Sequence, residues 1–367
     1  MKSELLDQLY KLVAEGKHPS PNEGTCQIDL YDELDNFSGF FHHYDNELRY
    51  TQEFSGKPDV VVKMKPDTLS SILSNLEQFD LRDRNIVSQV DVQGKLALAT
   101  FLFNAIKRTP KEILGRIAEA EGKWNNRTRE VTEVKRIHKP SRDEMFSLMN
   151  EGAPFVVTGI LEDWEFLSAD LGEIKSKYGS VKLRSVVEDG KVRYETLKDF
   201  IDKMENNKDG IVYTDGCDVP QVMWSKFRLP FFNSKFVNAP LMWMGSSSGN
   251  RPCTELHRDC HYGMLTNTYG QKKLILFSPD QSKYLYPIGA FNLFQVCAVR
   301  DVQNVDLDKY PLFKHAYPLE IMIGPGESLI IPAFWYHCVY ALENVFSVSH
   351  GLNWGAWEVH EPSAITA

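Results

Sequence analysis

Apolar residues along the first hundred positions alternate between two rhythms, one of helical period and one of strand period. Leu5, Leu6, Leu9, Leu12 and Val13 fall on one helical face, and Gly16 supplies a stop. After the break Gly56-Lys57-Pro58, the β-branched run Val60-Val61-Val62-Lys63-Met64 predicts a strand. Pro66-Asp67-Thr68 opens a helix whose stripe is Leu69, Ile72, Leu73 and Leu76. A strand over Val87 to Val92 follows, then Gly94-Lys95-Leu96 leading into a helix with Leu98, Phe101, Leu102 and Ile106. Thr109-Pro110-Lys111-Glu112 joins an N-cap, a proline at the first helical position and a capping-box glutamate, and predicts one more helix ending near Gly122.

Polar and charged Asn125 to Glu130 reads as a linker between a small α/β domain, 1–125, and a second domain, 126–367. Beyond it, Ser141-Arg142-Asp143-Glu144 is a capping box for a short helix that stops near Gly152, and Pro154 to Thr158 has a buried-strand pattern. Asp189-Gly190 is a hairpin signal between Val181 to Val187 and Lys191 to Tyr194, and a helix over Leu197 to Met204 follows. From Ile211 onward, short strands alternate with Gly/Pro punctuation, as a β-sandwich or barrel requires. The fold class read from this order is α+β.

Composition narrows the field. The chain has 367 residues, 43% of them apolar and 25% charged, which suits two globular domains and excludes a disordered or fibrous chain. The longest apolar runs, such as Ile330 to Tyr336, fall well short of the ~18 residues of a membrane helix, so no membrane association is expected. Acidic residues near the start, Glu4 and Asp7, stand where a secretory leader would be apolar. A net charge of −9 argues against stable nucleic-acid binding. The six cysteines lack CxxC spacing, and the expectation is reduced thiols in a cytoplasmic protein.

Chemistry concentrates at His257-Arg258-Asp259 and His337. Residues i and i+2 of a strand point to one face, so His257 and Asp259 can both reach one ion. His337, 80 positions on, has to arrive from another strand, in the block Glu327 to His337 that follows the turn Gly324-Pro325-Gly326. Two imidazoles and a carboxylate on one side of a metal leave positions open and suit non-haem Fe(II). An isolated HxD also arises by chance, and a lone buried histidine is more often a hydrogen-bonded core residue than a ligand.

The surrounding motifs decide between these readings. Met242-Trp243-Met244-Gly245 leads into Thr254-Glu255-Leu256-His257-Arg258-Asp259; Gly270 to Pro279, Leu285-Tyr286-Pro287, Val305 to Phe313 and the Pro325-Gly326-Glu327 to His337 block follow in order. From about Arg129 to Trp354 the chain resembles the JmjC (cupin-like) Fe(II)/2-oxoglutarate oxygenases, and within them the small hydroxylase branch that includes factor-inhibiting HIF. Pro58 to Lys107 more weakly resembles a sterol-carrier-protein type domain. The fold these resemblances imply is a C-terminal double-stranded β-helix (a jelly roll) with flanking helices, preceded by a small α/β sterol-carrier-like domain enclosing an apolar ligand. Docking or dimerisation is an equal role for that front domain.

By the resemblance, His257, Asp259 and His337 hold the iron, and Lys272, thirteen residues past Asp259, takes the distal carboxylate of 2-oxoglutarate. Tyr213 shares that carboxylate. Thr254 supplies a hydroxyl, which demands a bulge because strict alternation turns it away from His257. The branch often has Asn four residues past the metal carboxylate; Gly263 stands there, implying a wider pocket that Asn353 could serve with its amide. His261, His315 and His350 read as surface or core residues, and Cys260 and Cys338 point away from the metal by alternation. The implied co-substrates are 2-oxoglutarate and O2. The expected function is hydroxylation of a peptide or protein side chain or an amino-acid-like small molecule, with release of succinate and CO2. The alternatives are an oxygenase tailoring a hydrophobic intermediate, and a non-enzymatic metal-binding cupin with a lipid-binding module. A homodimer is one expected assembly.

Overall fold

The computed structural model describes residues 2–16, 23–33, 35–45, 47–79, 86, 88–127, 131–186, 192–214, 216–247, 251–289 and 294–354. They form two compact units. The first takes in the described parts of Met1–Leu114 together with Pro287–Ala298. Its sheet contains β1 (Gly24–Tyr31), β2 (Asn36–Tyr44), β3 (Glu47–Thr51), β4 (Val60–Met64) and β5 (Val90–Gly94), in the order β3-β2-β1-β4-β5. All neighbours are antiparallel except β1 and β4. Helices Lys2–Gly16, Pro66–Leu73 and Leu96–Ile106 lay Leu6, Leu9, Leu69, Leu98 and Leu102 against Ile28, Leu30, Phe41, Val60 and Val62 in one core.

Strands β1 to β3 are absent from the sequence reading. In β1 Cys26, Ile28 and Leu30 point into the core and alternate with polar Gln27 and Asp29, the period-2 pattern of a half-buried strand. Asp29 accepts hydrogen bonds from Gln27 Nε2 and Ser38 Oγ, each at 2.7 Å. Boundaries also shift: β5 begins at Val90, position 87 lies outside the described residues, and Leu76 lies past the end of its helix. The helix predicted to end near Gly122 continues to Asn125. A Cβ at Gly115 or Gly122 would meet nothing within 4 Å, so these glycines stand on an open helix face and cost only helix propensity, about 1 kcal/mol each.

The second unit holds the barrel. Its larger sheet is built from β6 (Lys135–His138), β7 (Phe155–Thr158), β10 (Ile211–Tyr213), β12 (Leu241–Ser247), β14 (Tyr262–Tyr269), β18 (Glu327–Ile331) and β20 (Val345–Leu352). Their order is β10-β12-β20-β14-β18-β7-β6, with β11 (Cys217–Asp218) beside β12. The facing sheet runs β13 (Thr254–Asp259), β19 (Tyr336–Ala341), β15 (Lys272–Phe277), β17 (Leu319–Ile323). A separate hairpin pairs β8 (Lys182–Val186) with β9 (Val192–Thr196); its predicted Asp189-Gly190 turn lies outside the described residues. The short strand β16 (Phe294–Val296) belongs to the segment grouped with the first unit.

Two cores cover the larger sheet. On the barrel side, Val156, Leu265, Leu329, Ile331 and Val345 meet Leu274, Leu276, Ile321, Ile323 and Val339. On the other side, Met242, Met244, Met264, Ile330, Phe346 and Val348 pack with Met145, Met149, Ile174, Phe200 and Ile201 of the flanking helices. A strand covered on both faces carries a continuous apolar run, which is why Leu329-Ile330-Ile331 shows no alternation. The predicted capping box is present: Glu144 N donates to Ser141 Oγ and Ser141 N to Glu144 Oε2. Gly152 closes that helix at φ 73°, a left-handed conformation that favours glycine. Among the described residues no helix is long and apolar enough to cross a membrane.

Candidate metal centre and co-substrate pocket

Strands β13 and β19 run antiparallel with His257 directly opposite His337. The register slips between Thr254 and His257, the bulge that the position of Thr254 demanded. One donor atom from each of His257, Asp259 and His337 lies within 4.8 Å of the others. Asp259 Oδ1 is 4.0 Å from His257 Nε2, and its Oδ2 is 3.7 Å from His337 Nε2.

The tautomers follow from main-chain contacts. His257 Nδ1 lies 2.7 Å from the Glu255 carbonyl oxygen, and His337 Nδ1 lies 3.2 Å from that of Trp335. A carbonyl only accepts, so each Nδ1 carries a proton and Nε2 is the ring nitrogen left to face Asp259 as a ligand. Burial and the neighbouring His257 lower the His337 pKa to about 4, keeping that ring neutral. Two imidazoles and a carboxylate on one side of a common point fit the donor set of Fe(II), with the opposite side left for other ligands.

Deeper in the barrel lies Lys272. In β15, Leu276 pairs with His337 while Lys272 pairs with Ala341, four residues on and about 13 Å along the strand. The side chain is fully buried. Its Nζ donates to Tyr213 Oη at 2.8 Å and to the Trp243 carbonyl at 3.1 Å. Among the described residues no carboxylate forms an ion pair with it, and burial draws its pKa down to about 8. A buried ammonium held only by neutral acceptors suits an incoming anion.

Tyr213 reaches that point because β10 lies tight on β12. Its register partner is Gly245, where a Cβ would come 2.0 Å from the Val212 carbonyl oxygen and 2.6 Å from the Tyr213 ring. Thr254 Oγ1 is buried with no hydrogen-bond partner among the described residues. A hydroxyl orphaned in this way fits a co-substrate that brings its own polar atoms.

The other predicted residues separate. Gly263 opposes Ile331 and Gly351, and an added Cβ would meet nothing within 4 Å, so room exists there. Asn353 follows β20, and its main-chain N–H donates to the Phe236 carbonyl. Among the described residues its amide makes no hydrogen bond to the triad, Lys272 or Tyr213. His315 is exposed. His350 is buried, with its pKa lowered to about 4 by burial. Cys338 is buried, its thiol pushed up to about 12.

Two contributors escaped sequence reasoning. Trp243 supplies the carbonyl for Lys272 and anchors its indole to Ser349 Oγ at 2.7 Å. Cys253 lies beside Tyr213 and Lys272 with Sγ 3.3 Å from the Val339 carbonyl. Neither signals itself in a single sequence, since one acts through its backbone and the other reads as core.

Two histidines and an aspartate able to hold one metal, on paired strands of one of two facing, largely antiparallel sheets, with a buried lysine further inside, fit a cupin-type barrel. The chain belongs to the cupin-like domain family, whose model matches residues 141–355. It is 27% identical over 251 residues to JmjC domain-containing protein D of Dictyostelium discoideum, covering 59% of this chain and 55% of that protein. Lysine-specific demethylase 8 of Danio rerio is 29% identical over 248 residues, 59% of this chain and 57% of its own. Human tRNA wybutosine-synthesizing protein 5 is 36% identical over 107 residues, 29% and 30% of the two chains. The match thus spans about half the length of the first two relatives. The JmjC resemblance holds, and JmjC cupin relatives are generally Fe(II)/2-oxoglutarate oxygenases.

Proposed function

We propose that the chain is an Fe(II)- and 2-oxoglutarate-dependent oxygenase hydroxylating a C–H bond of a peptide or protein side chain, or of an amino-acid-like small molecule. The observation that carries the reading is an open three-ligand set sharing one barrel with a buried ammonium that has no carboxylate partner among the described residues. When bound, iron with O2 supplies the oxidising chemistry that couples breakdown of 2-oxoglutarate to succinate and CO2 with hydroxylation. The protein's part is placement. His257 and His337 present Nε2 lone pairs, and Asp259 adds the anionic ligand. Lys272 and Tyr213 hold the distal carboxylate, and Thr254 Oγ1 takes a further polar atom. Leu274, Leu276 and Val339 keep the intervening wall dry, which strengthens each of these contacts.

The relatives' names point to different substrates, a lysine in one and a tRNA in another. A net charge of −9 favours the peptide side of that choice. Six free cysteines accord with a reducing, cytoplasmic setting, which we propose with it. The sterol-carrier-like role of the front unit stands as a proposal alongside, tested by whether an apolar fluorescent probe binds the full chain and is displaced by lipid.

Anaerobic loading with Fe(II), then 2-oxoglutarate and air without substrate, is the deciding experiment. Slow succinate formation that depends on iron and vanishes in Asp259→Ala is expected. Binding of both ligands with no succinate would favour the non-enzymatic cupin. Mass spectrometry for +16 Da products in cells with and without the active chain then finds the substrate, a hydrophobic small molecule being the rival outcome.

A further inference from the structure

We infer that the helix Lys111–Asn125 is a clasp that sets the metal-binding geometry from outside the barrel, with Glu121 as its positioning residue; this rests on the metal reading above. Three of its side chains each reach a residue within two positions of a proposed ligand. Arg116 Nη2 donates to the carbonyl of Cys260, which follows Asp259, at 2.6 Å. Glu121 Oε1 accepts from Arg258 Nη1, between His257 and Asp259, at 3.2 Å. Trp124 meets Trp335, two residues before His337, edge-on at 4.8 Å between ring centroids.

The contacts tie both ligand strands together. Arg258 is only 4% exposed and, by alternation, faces away from the ligands. Its Nη1 also donates to Ser282 Oγ at 3.1 Å, and its guanidinium stacks 4.8 Å from the ring of Tyr336. Tyr336 is the cross-strand partner of Arg258 and the neighbour of His337. Ser282 Oγ donates to Glu121 Oε1 at 2.5 Å and accepts from Tyr336 Oη at 2.7 Å. Glu121 is thus a counter-charge and acceptor for a cluster spanning the back of β13 and β19. The turn joins in: Phe334 N donates to the Asp259 carbonyl at 2.8 Å, and Phe334 keeps φ at +66° under the Arg116 guanidinium, 5.1 Å from its ring.

Ligands at i and i+2 converge only while the pleat between them holds its angle. Arg258 is the residue of that pleat, so a shift of its side chain tilts His257 and Asp259 together. Groups that hydrogen-bond a ligand directly are worth about 10–100-fold in metal affinity, and a network one residue removed is expected near the lower end, about tenfold.

The test is anaerobic Co(II) titration of the full chain, reading affinity and the visible d–d spectrum, with thermal melting of the metal-free protein in parallel. Glu121→Ala is expected to weaken Co(II) binding about tenfold and to alter the spectrum. Glu121→Gln keeps an acceptor for Arg258 and Ser282 and restores most of the affinity. Exposed Glu119→Ala on the same helix behaves as wild type. Should Glu121→Ala fail to fold, Arg258→Lys, which keeps the charge and loses the fork, is expected to show the same weakening. A lower melting temperature with unchanged affinity and spectrum would make the helix merely structural and overturn the inference. Wild-type protein that takes up no Co(II) overturns the metal reading itself, a result distinct from equal binding in wild type and variant.

Discussion

His257 and His337 face each other as directly paired residues of antiparallel strands, ring centroids 4.2 Å apart and planes inclined at 56°. Two imidazoles this close cannot both be charged without strong repulsion, so a divalent ion or a neutral pair is the stable content of the space between them. One divalent ion per chain is therefore expected. Asp259→Ala should reduce both metal affinity and succinate formation, measured by metal analysis after desalting and by turnover; full retention of both would remove Asp259 from the ligand set.

Acid sensitivity follows from the same burial. His337 and His350 stay neutral in the folded chain to about pH 4, while an unfolded histidine titrates near 6.5. Their folded pKa values are depressed, so the stability they leave intact above pH 6.5 is lost as the pH falls toward 4. The loss is about 3 kcal/mol per histidine. Denaturant melts of the metal-free protein between pH 7 and 4 should show this slope, and His350→Gln should flatten it by about half. An unchanged slope in that variant would remove His350 from the account.

Lys272 should govern co-substrate affinity without touching the metal. Removing it leaves the dianion without its main counter-charge, at a cost of about 2–5 kcal/mol. Lys272→Ala should thus weaken 2-oxoglutarate some tens- to thousands-fold, read from the charge-transfer band of the anaerobic Fe(II) protein. Metal affinity should change little. Equal 2-oxoglutarate affinity in wild type and variant would take the lysine out of the site.

The pH dependence of that binding has a definite sign. With the pKa of Lys272 drawn down to about 8, the ligand-free lysine is charged below that pH and neutral above it. Affinity for 2-oxoglutarate should be flat below pH 8 and fall about tenfold per pH unit above it. Lys272→Arg should bind more weakly, because its longer fork needs another pocket depth, but without the alkaline fall, since guanidinium stays charged. A wild-type profile flat through pH 10 would contradict this.

Thr254 offers a test in the opposite direction. Its buried hydroxyl has no partner among the described residues, so Thr254→Val should leave the ligand-free protein as stable or up to about 1 kcal/mol more so. The same variant should weaken 2-oxoglutarate about tenfold, the scale of one hydrogen bond to a charged group. A destabilised apo protein with normal ligand affinity would place the hydroxyl in the fold rather than the pocket.

The site was more legible in sequence than the fold around it, for a physical reason. Strand pitch puts His257 and Asp259 on one face, and the resemblance, through the order of its motifs, added His337 and Lys272. Strand β1 was legible in the alternation of Cys26, Ile28 and Leu30 with Gln27 and Asp29 and was passed over, whereas β2 carries the unalternated pairs Phe40-Phe41 and His42-His43. The last turn of the helix Lys111–Asn125 was missed because Gly122, read as a stop, stands on an open face where glycine is cheap. Trp243 hid because its contact with Lys272 is a main-chain carbonyl, an atom every residue has.

The same anonymity has a consequence at the metal. Both acceptors that fix the imidazole tautomers are carbonyls two residues upstream on the chain, those of Glu255 and Trp335. No substitution at either position deletes a carbonyl. The orientation of the two ligands is therefore written in backbone geometry, and drift at those side chains leaves it unread and intact. Evolution can rework the rim of this barrel for a new substrate while the proton on each ring stays where the strand puts it.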